Sequence, residues 1–185
     1  MDRLAREIPF DPTWCGTRWT ELLNRLDQLN HRALIAGPHG TGKTTFLDGL
    51  APRLSARGFS VHRLMFTDEN PDLDTTSRQQ IEANGGPDDV WFIDGSERLD
   101  PAEWRWIKRR TLTTAGLVIT AHRARSPRLP LLFETRSSPD MLAAFVHQLA
   151  PELAISDETI VRWYRESGGN LREALWRAYD HAAGS

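Results

Sequence analysis

Cysteine is almost missing from this chain. Cys15 is the single thiol in 185 residues, so no disulfide can close within the chain, which fits a reducing compartment and makes the cytoplasm the expected location. No Cys/His motif surrounds it, so it reads as a structural thiol rather than a nucleophile. Lysine is nearly as scarce: Lys43 and Lys108 stand alone among 23 Lys and Arg residues. No run approaches the roughly 18–20 apolar residues that would span a bilayer, so no membrane association is expected. The opening stretch, MDRLAREIPFDP, lacks the apolar segment of a secretory signal. Net charge is only −2, which excludes a general polyanion binder. The 39% hydrophobic and 26% charged residues describe a folded chain with one main core, not a disordered one.

The scarce lysine marks the most informative stretch. Residues 37–44 read GPHGTGKT, preceded by the apolar run Ala33-Leu34-Ile35-Ala36 and followed by Phe46, Leu47, Leu50 and Leu54 at helical spacing. Strand, glycine-rich loop and helix form the context in which GxxxxGK[ST] cradles phosphates. Gly37, Gly40 and Gly42 permit backbone conformations and close approaches that a Cβ obstructs. The loop from Gly37 through Pro38, His39, Thr41 and Lys43 to Thr44 and Thr45 then turns its amides, with the positive end of the helix, toward an anion. Lys43 supplies a point charge to β- and γ-phosphates, and the Thr44 hydroxyl offers Mg²⁺ the oxygen ligand it prefers. This loop is expected to bind the phosphates of a nucleoside triphosphate.

Hydrolysis requires more: an acid to hold the metal's water shell and a group to orient the attacking water. Val90-Trp91-Phe92-Ile93-Asp94 is an apolar strand ending in a carboxylate, the Walker B arrangement, and places Asp94 beside Thr44 as a second contributor to an Mg²⁺ site. Gly95 occupies the position where many such ATPases carry the water-activating glutamate. Glu97 is the nearest carboxylate able to align a water; the alternative is a surface glutamate before the next helix. Asp100-Pro101-Ala102-Glu103 reads as a helix start with a capping box. The catalytic candidates are therefore Lys43, Asp94 and Glu97.

Further strands are expected at Val61–Phe66, Leu117–Thr120 and Leu131–Arg136, alternating with helices near 17–30, 43–57, 75–83, 101–114 and 139–149. That alternation predicts an α/β fold, a parallel sheet covered on both faces. If the 117–122 strand neighbours both the loop strand and the Asp94 strand, then Thr120, His122 or Arg123 sits near a γ-phosphate as a sensor; otherwise each is an ordinary strand-end residue. Beyond Pro151, Ser156 and Asn170 cap two helices separated by Gly168-Gly169, giving a small helical lid. The expected divisions are an N-terminal segment and helix over 1–30, a P-loop core over 31–137 and a lid over 138–185.

Charge is unevenly spread. Acidic residues gather over 68–89 and basic ones over 98–136, forming either two solvated faces or a surface for nucleic acid or an acidic partner. Trp104 and Trp106, two positions apart on one helix, cannot both face the sheet, so one is expected to be exposed for a protein partner or for stacking on single-stranded nucleic acid.

Over roughly residues 30–182 the chain resembles the AAA+ and NACHT/STAND branch of P-loop ATPases. GPHGTGKT matches Walker A; VWFIDGSE is similar to the NACHT form of Walker B, with a small residue after the Asp and a second acid three positions on. LVITAHR resembles the sensor 1 strand, and SGGNLREAL the sensor 2 region, which would make Arg172 the lid residue that reaches the γ-phosphate. The resemblance implies a three-layer P-loop NTPase sandwich with strand order 5-1-4-3-2, Mg-ATP as cofactor and nucleotide-dependent lid movement. It does not identify an arginine finger: Arg125, Arg128 and Arg136 all remain candidates. Three functions follow from the residues: an Mg-dependent ATPase driving a conformational change in a partner, a nucleotide-gated module that does not hydrolyse, or a small-molecule kinase.

Overall fold

A computed structural model describes residues 8–123, 129–151 and 155–183. Five strands, β1 (Arg32–Ala36), β2 (Ser60–Met65), β3 (Asp89–Asp94), β4 (Gly116–Ala121) and β5 (Leu131–Glu134), form one parallel sheet in the order β2-β3-β4-β1-β5. This is the expected 5-1-4-3-2 order seen from the opposite edge.

The strands are apolar on both sides because both faces are covered. Along β1, Ala33 and Ile35 point to one face while Leu34 and Ala36 point to the other. Along β3 the alternation runs Val90 and Phe92 against Trp91 and Ile93. The first face carries α1 (Trp19–Gln28) through Leu22 and Leu26, and α2 (Lys43–Ser55) through Phe46, Leu47, Leu50 and Leu54. Each of those α2 side chains is fully buried, a gain of about 1.5–3 kcal/mol apiece; Leu50→Ala alone would cost about 2–5 kcal/mol. The opposite face carries α3 (Thr75–Ala83) through Ile81, and α4 (Pro101–Arg110) through Trp104 and Ile107.

Asp100 starts α4 as read from the sequence: its side chain accepts from Ala102 and Glu103 N–H, and Glu103 returns a bond to the Asp100 N–H. The helix ends at Arg110, earlier than 114. The Thr111 carbonyl is drawn away by Arg32 Nη1 at 2.8 Å, and the Thr114 hydroxyl donates to the same oxygen at 3.0 Å. Trp106 is half-buried, with the Arg78 and Arg110 guanidinium groups 4.8 and 5.5 Å from its ring centre. The prominently exposed tryptophans are Trp14 and Trp176 instead.

After β5, α5 (Pro139–Leu149), α6 (Asp157–Glu166) and α7 (Leu171–Ala183) pack around a core of their own, built on Leu142, Val146, Ile160, Trp163, Leu171 and Ala174. Gly168 and Gly169, both with left-handed backbones, stop α6. The Tyr164 hydroxyl donates to the Ser137 carbonyl at 2.9 Å, fastening this helical unit to the end of the sheet. Among the described residues no helix is long and apolar enough to cross a membrane.

Candidate functional site

The glycine-rich loop leaves β1 at its C-terminal end and enters α2. Gly37 has no room for a side chain: a Cβ would lie 2.1 Å from Thr135 Oγ1 on the neighbouring β5 segment. The buried Thr41 hydroxyl fixes the loop, donating to the Pro38 carbonyl at 2.8 Å and meeting Thr135 Oγ1 at 2.7 Å. Lys43 folds back on its own loop, with Nζ donating to the carbonyls of Gly37 and Pro38 at 2.7 and 2.8 Å. Burial lowers its pKa below the usual lysine value, helped by Arg172 and Arg98 and opposed by Glu97 and Asp94. The ammonium is thus held at the loop by two carbonyl oxygens.

Asp94 ends β3 with 6% of its surface exposed. Thr44 donates to its Oδ2 at 2.9 Å and Thr120 to its Oδ1 at 2.6 Å. Arg63 on β2 also donates to Oδ2, with its second nitrogen 2.6 Å from Asp48 on α2. Thr120 in turn accepts from the Gly95 N–H at 2.8 Å, so the sensor candidate is a buried clamp on the Asp94 turn. Gly95 is left-handed at φ 82°, and a Cβ there would lie 2.4 Å from the Phe66 carbonyl oxygen. A glutamate at this position would therefore meet a steric obstacle in this backbone. The 3₁₀ turn Ser96–Arg98 that follows carries Glu97 around to the cleft instead.

Glu97 Oε1 meets His122 Nε2 at 2.9 Å and Arg98 Nη1 at 3.2 Å. The His122 ring lies 3.5 Å, centre to centre, from His39 of the loop. Burial lowers the His122 pKa against the opposing pull of Glu97, and His39, Lys43 and Arg98 push in the same direction as burial. Among the described residues no group of three or more His, Cys, Asp or Glu side chains is placed to hold a metal. The hard oxygens of Thr44 and Asp94, adjacent and facing a cavity, are nonetheless the donor set suited to Mg²⁺ with most of its waters retained.

Lys43, Thr44, Asp94, Glu97, Thr120 and His122 open into one cavity of about 420 Å³, within the roughly 300–1,000 Å³ range of small-molecule sites. Its polar end holds His39 through Thr45, Asp94, Glu97, Thr120 and His122, and Arg172 reaches it from the first turn of α7. Gly37 and Pro38 stand behind, as the carbonyls that hold Lys43. Arg123 is exposed and does not line the cavity. Of the arginine-finger candidates, Arg136 is exposed beside Glu134, while Arg125 and Arg128 lie outside the described residues.

The other end of the cavity is apolar and was not anticipated. Ile8, Pro9, Phe10 and Trp14 come from the N-terminal segment, and Met141, Phe145 and Leu175 from the helical unit. Phe10 is anchored edge-on against Trp19, Phe46 and Phe133, with ring centres 5.2–6.2 Å apart. The Trp14 ring meets Phe145 edge-on at 6.3 Å, bridging the segment to α5. IPFDP carried no glycine pattern or charge cluster to mark it; its only signal was a bulky aromatic ahead of the first helix.

No family model matches the sequence, and no curated protein matches it by sequence. Solved structures do share its arrangement. RuvB of Thermotoga maritima matches 86% of this chain at 20% identity and a TM-score of 0.59. A replication initiator DnaA bound to AMPPCP and single-stranded DNA matches 93% at 16% identity and 0.61. The Aeropyrum pernix Orc1 protein in complex with DNA matches 84% at 17% identity and 0.57. The fold is that of the AAA+ P-loop ATPases. At these identities the likeness speaks for the fold alone, and the chain spans 59%, 61% and 56% of those three chains.

Proposed function

We propose that the cleft binds ATP with Mg²⁺ and hydrolyses it, the closing and opening of the helical lid being read by a partner. The observation that carries this reading is the two-ended cavity. An amide-rich polar lining that includes Lys43 and Arg172 is continuous with an apolar lining of the chemistry that a nucleobase requires. In this reading the loop amides and Lys43 bind the triphosphate, Thr44 and Asp94 hold Mg²⁺, and Glu97 orients water. Bound Mg²⁺ would supply charge neutralisation to the β- and γ-phosphates. Arg172 connects the phosphate end to α7, and residues 1–30, 31–137 and 138–185 serve as base-pocket segment, ATPase core and lid.

A second reading, nucleotide-gated binding without turnover, is favoured by the pairing of Glu97 with both His122 and Arg98, which engages the carboxylate that must accept a water. A kinase reading is disfavoured, because the lid that lines the cavity follows β5 rather than interrupting the sheet before it. For the partner, Arg98 pairs with Asp68 and Arg110 with Glu82, so part of the basic stretch is neutralised by the acidic one. Together with the half-buried Trp106, this favours a protein over single-stranded nucleic acid.

Turnover and binding should be measured together for the wild type, Lys43→Ala and Glu97→Gln. Lys43→Ala should lose binding, and Glu97→Gln should keep binding and lose phosphate release. Tight binding with intact ATP in the wild type selects the gated module. No binding by the wild type removes both readings.

A further inference from the structure

Arg63 is a residue that neither the loop nor the cleft requires, yet it grips the centre of the site. Its guanidinium spans from Asp48, one turn beyond Thr44 on α2, to Oδ2 of Asp94, the oxygen that also accepts the Thr44 hydroxyl. The Arg63 side chain is 25% exposed and that of Asp94 8%. Arg63 Nε is buried without a partner. Buried donors in native proteins are rarely left unsatisfied, and the arrangement holds a fixed positive charge against the carboxylate proposed for Mg²⁺. Arg63 does not itself line the cavity, so whatever it does there it does through Asp94.

A carboxylate has about four lone-pair positions. On Asp94, Thr44, Thr120 and Arg63 occupy three, leaving one for a metal-bound water. The charge that Asp94 would offer a dication is already compensated by the guanidinium, and Asp48 prevents that guanidinium from swinging away. Resting on the Mg-ATP reading of the cleft, we infer that Arg63 is a positioning residue that acts as a resident cation in place of part of the metal's role. It keeps Asp94 neutralised when no metal is present and weakens the coupling between Mg²⁺ and nucleotide. Nucleotide binding by this chain is accordingly less dependent on Mg²⁺ than an Asp-and-Thr site alone would make it, and Arg63 sets the degree.

The test is the affinity for a fluorescent non-hydrolysable ATP analogue in excess Mg²⁺ and in EDTA, for the wild type, Arg63→Gln and Arg63→Lys. For the wild type the two affinities should differ by less than about tenfold; Arg63→Gln should widen that gap about tenfold, the scale of removing one repulsive charge at this range in a partly buried site. Arg63→Lys, which keeps the charge, should stay near the wild-type gap. A merely structural arginine would weaken both affinities equally and leave the gap unchanged, which overturns the inference. A wild-type gap greater than about a hundredfold overturns it even if Arg63→Gln does not fold, since one resident charge at this range cannot coexist with so strong a metal requirement. Absence of binding in both conditions overturns the nucleotide reading itself, a result distinct from an unchanged gap.

Discussion

Gly40 of the glycine-rich loop lies directly against Asn170 of the C-terminal helical unit: a Cβ built on Gly40 would stand 1.7 Å from Asn170 Oδ1 and 3.2 Å from its Cα. Asn170 Oδ1 meanwhile accepts from the N–H of Glu173, the residue after Arg172 at the start of α7. The loop that would hold phosphate therefore touches the turn that aims the lid's arginine. Gly40→Ala should push loop and lid apart, lowering nucleotide affinity at least about tenfold, equivalent to about 1.4 kcal/mol. Repeating the substitution in an Asn170→Ala background should cost much less, because the obstructing side chain is gone. Additive losses in that double-mutant cycle would show that only the left-handed backbone of Gly40 matters.

Much of this architecture was legible because it is written locally. The Phe46, Leu47, Leu50 and Leu54 stripe, the Asp100–Glu103 cap and the apolar run ending in Asp94 each declare themselves within a few residues, since periodicity and capping are short-range physics. The strand order could not be read that way and rested on resemblance. The contacts that complete the cavity are tertiary. Phe10 matters because three rings from distant segments converge on it, and Arg63 because β2 happens to lie beside Asp94. In the sequence, Arg63 appeared only as one charged residue in an otherwise apolar strand, and no spacing rule connects Gly40 to Asn170.

Gly95 makes a sharper prediction. Placing a glutamate there, as many ATPases of this fold have it, should not raise any phosphate release. The left-handed backbone costs about 1–2 kcal/mol for any L side chain, and the Cβ would strike the Phe66 carbonyl. Gly95→Glu should lose more than about 2 kcal/mol in total, lowering the melting temperature by roughly 4–8 °C for a chain of this size. A variant with wild-type melting and raised phosphate release would show that the turn can relax and that Glu97 is not its replacement.

Thr120 should prove more important for holding Asp94 than for sensing a phosphate. Its hydroxyl gives one bond to Asp94 and receives another from the Gly95 N–H. Thr120→Val keeps the shape but leaves that buried N–H unpaired, at a cost of about 1–3 kcal/mol. Thr120→Ser should retain most of the stability. Denaturant unfolding of both variants, in the absence of nucleotide, decides the point: a loss in Thr120→Ser with none in Thr120→Val would assign the effect to the methyl group's packing instead.

The Glu97–His122 pair makes stability depend on pH in a direction that can be worked out. An unfolded histidine titrates near ~6.5, whereas in the folded chain burial, His39, Lys43 and Arg98 outweigh Glu97 and lower the His122 pKa. Between the two values the unfolded chain holds a proton that the folded one lacks, so stability rises with pH across that interval. Equivalently, it falls as pH drops through about 6.5, and the loss is complete once the folded value is passed. Above that window His122 is neutral in both states and contributes no slope. Urea unfolding from about pH 5 to pH 8 should therefore show a shallower decline toward acid for His122→Gln than for the wild type, the difference isolating this residue from the other histidines. Glu97→Gln removes the carboxylate that meets the ring and favours its protonated form, so its acid decline should be steeper. Parallel profiles for the wild type and His122→Gln would mean that the ring takes its proton as freely in the cleft as in the unfolded chain.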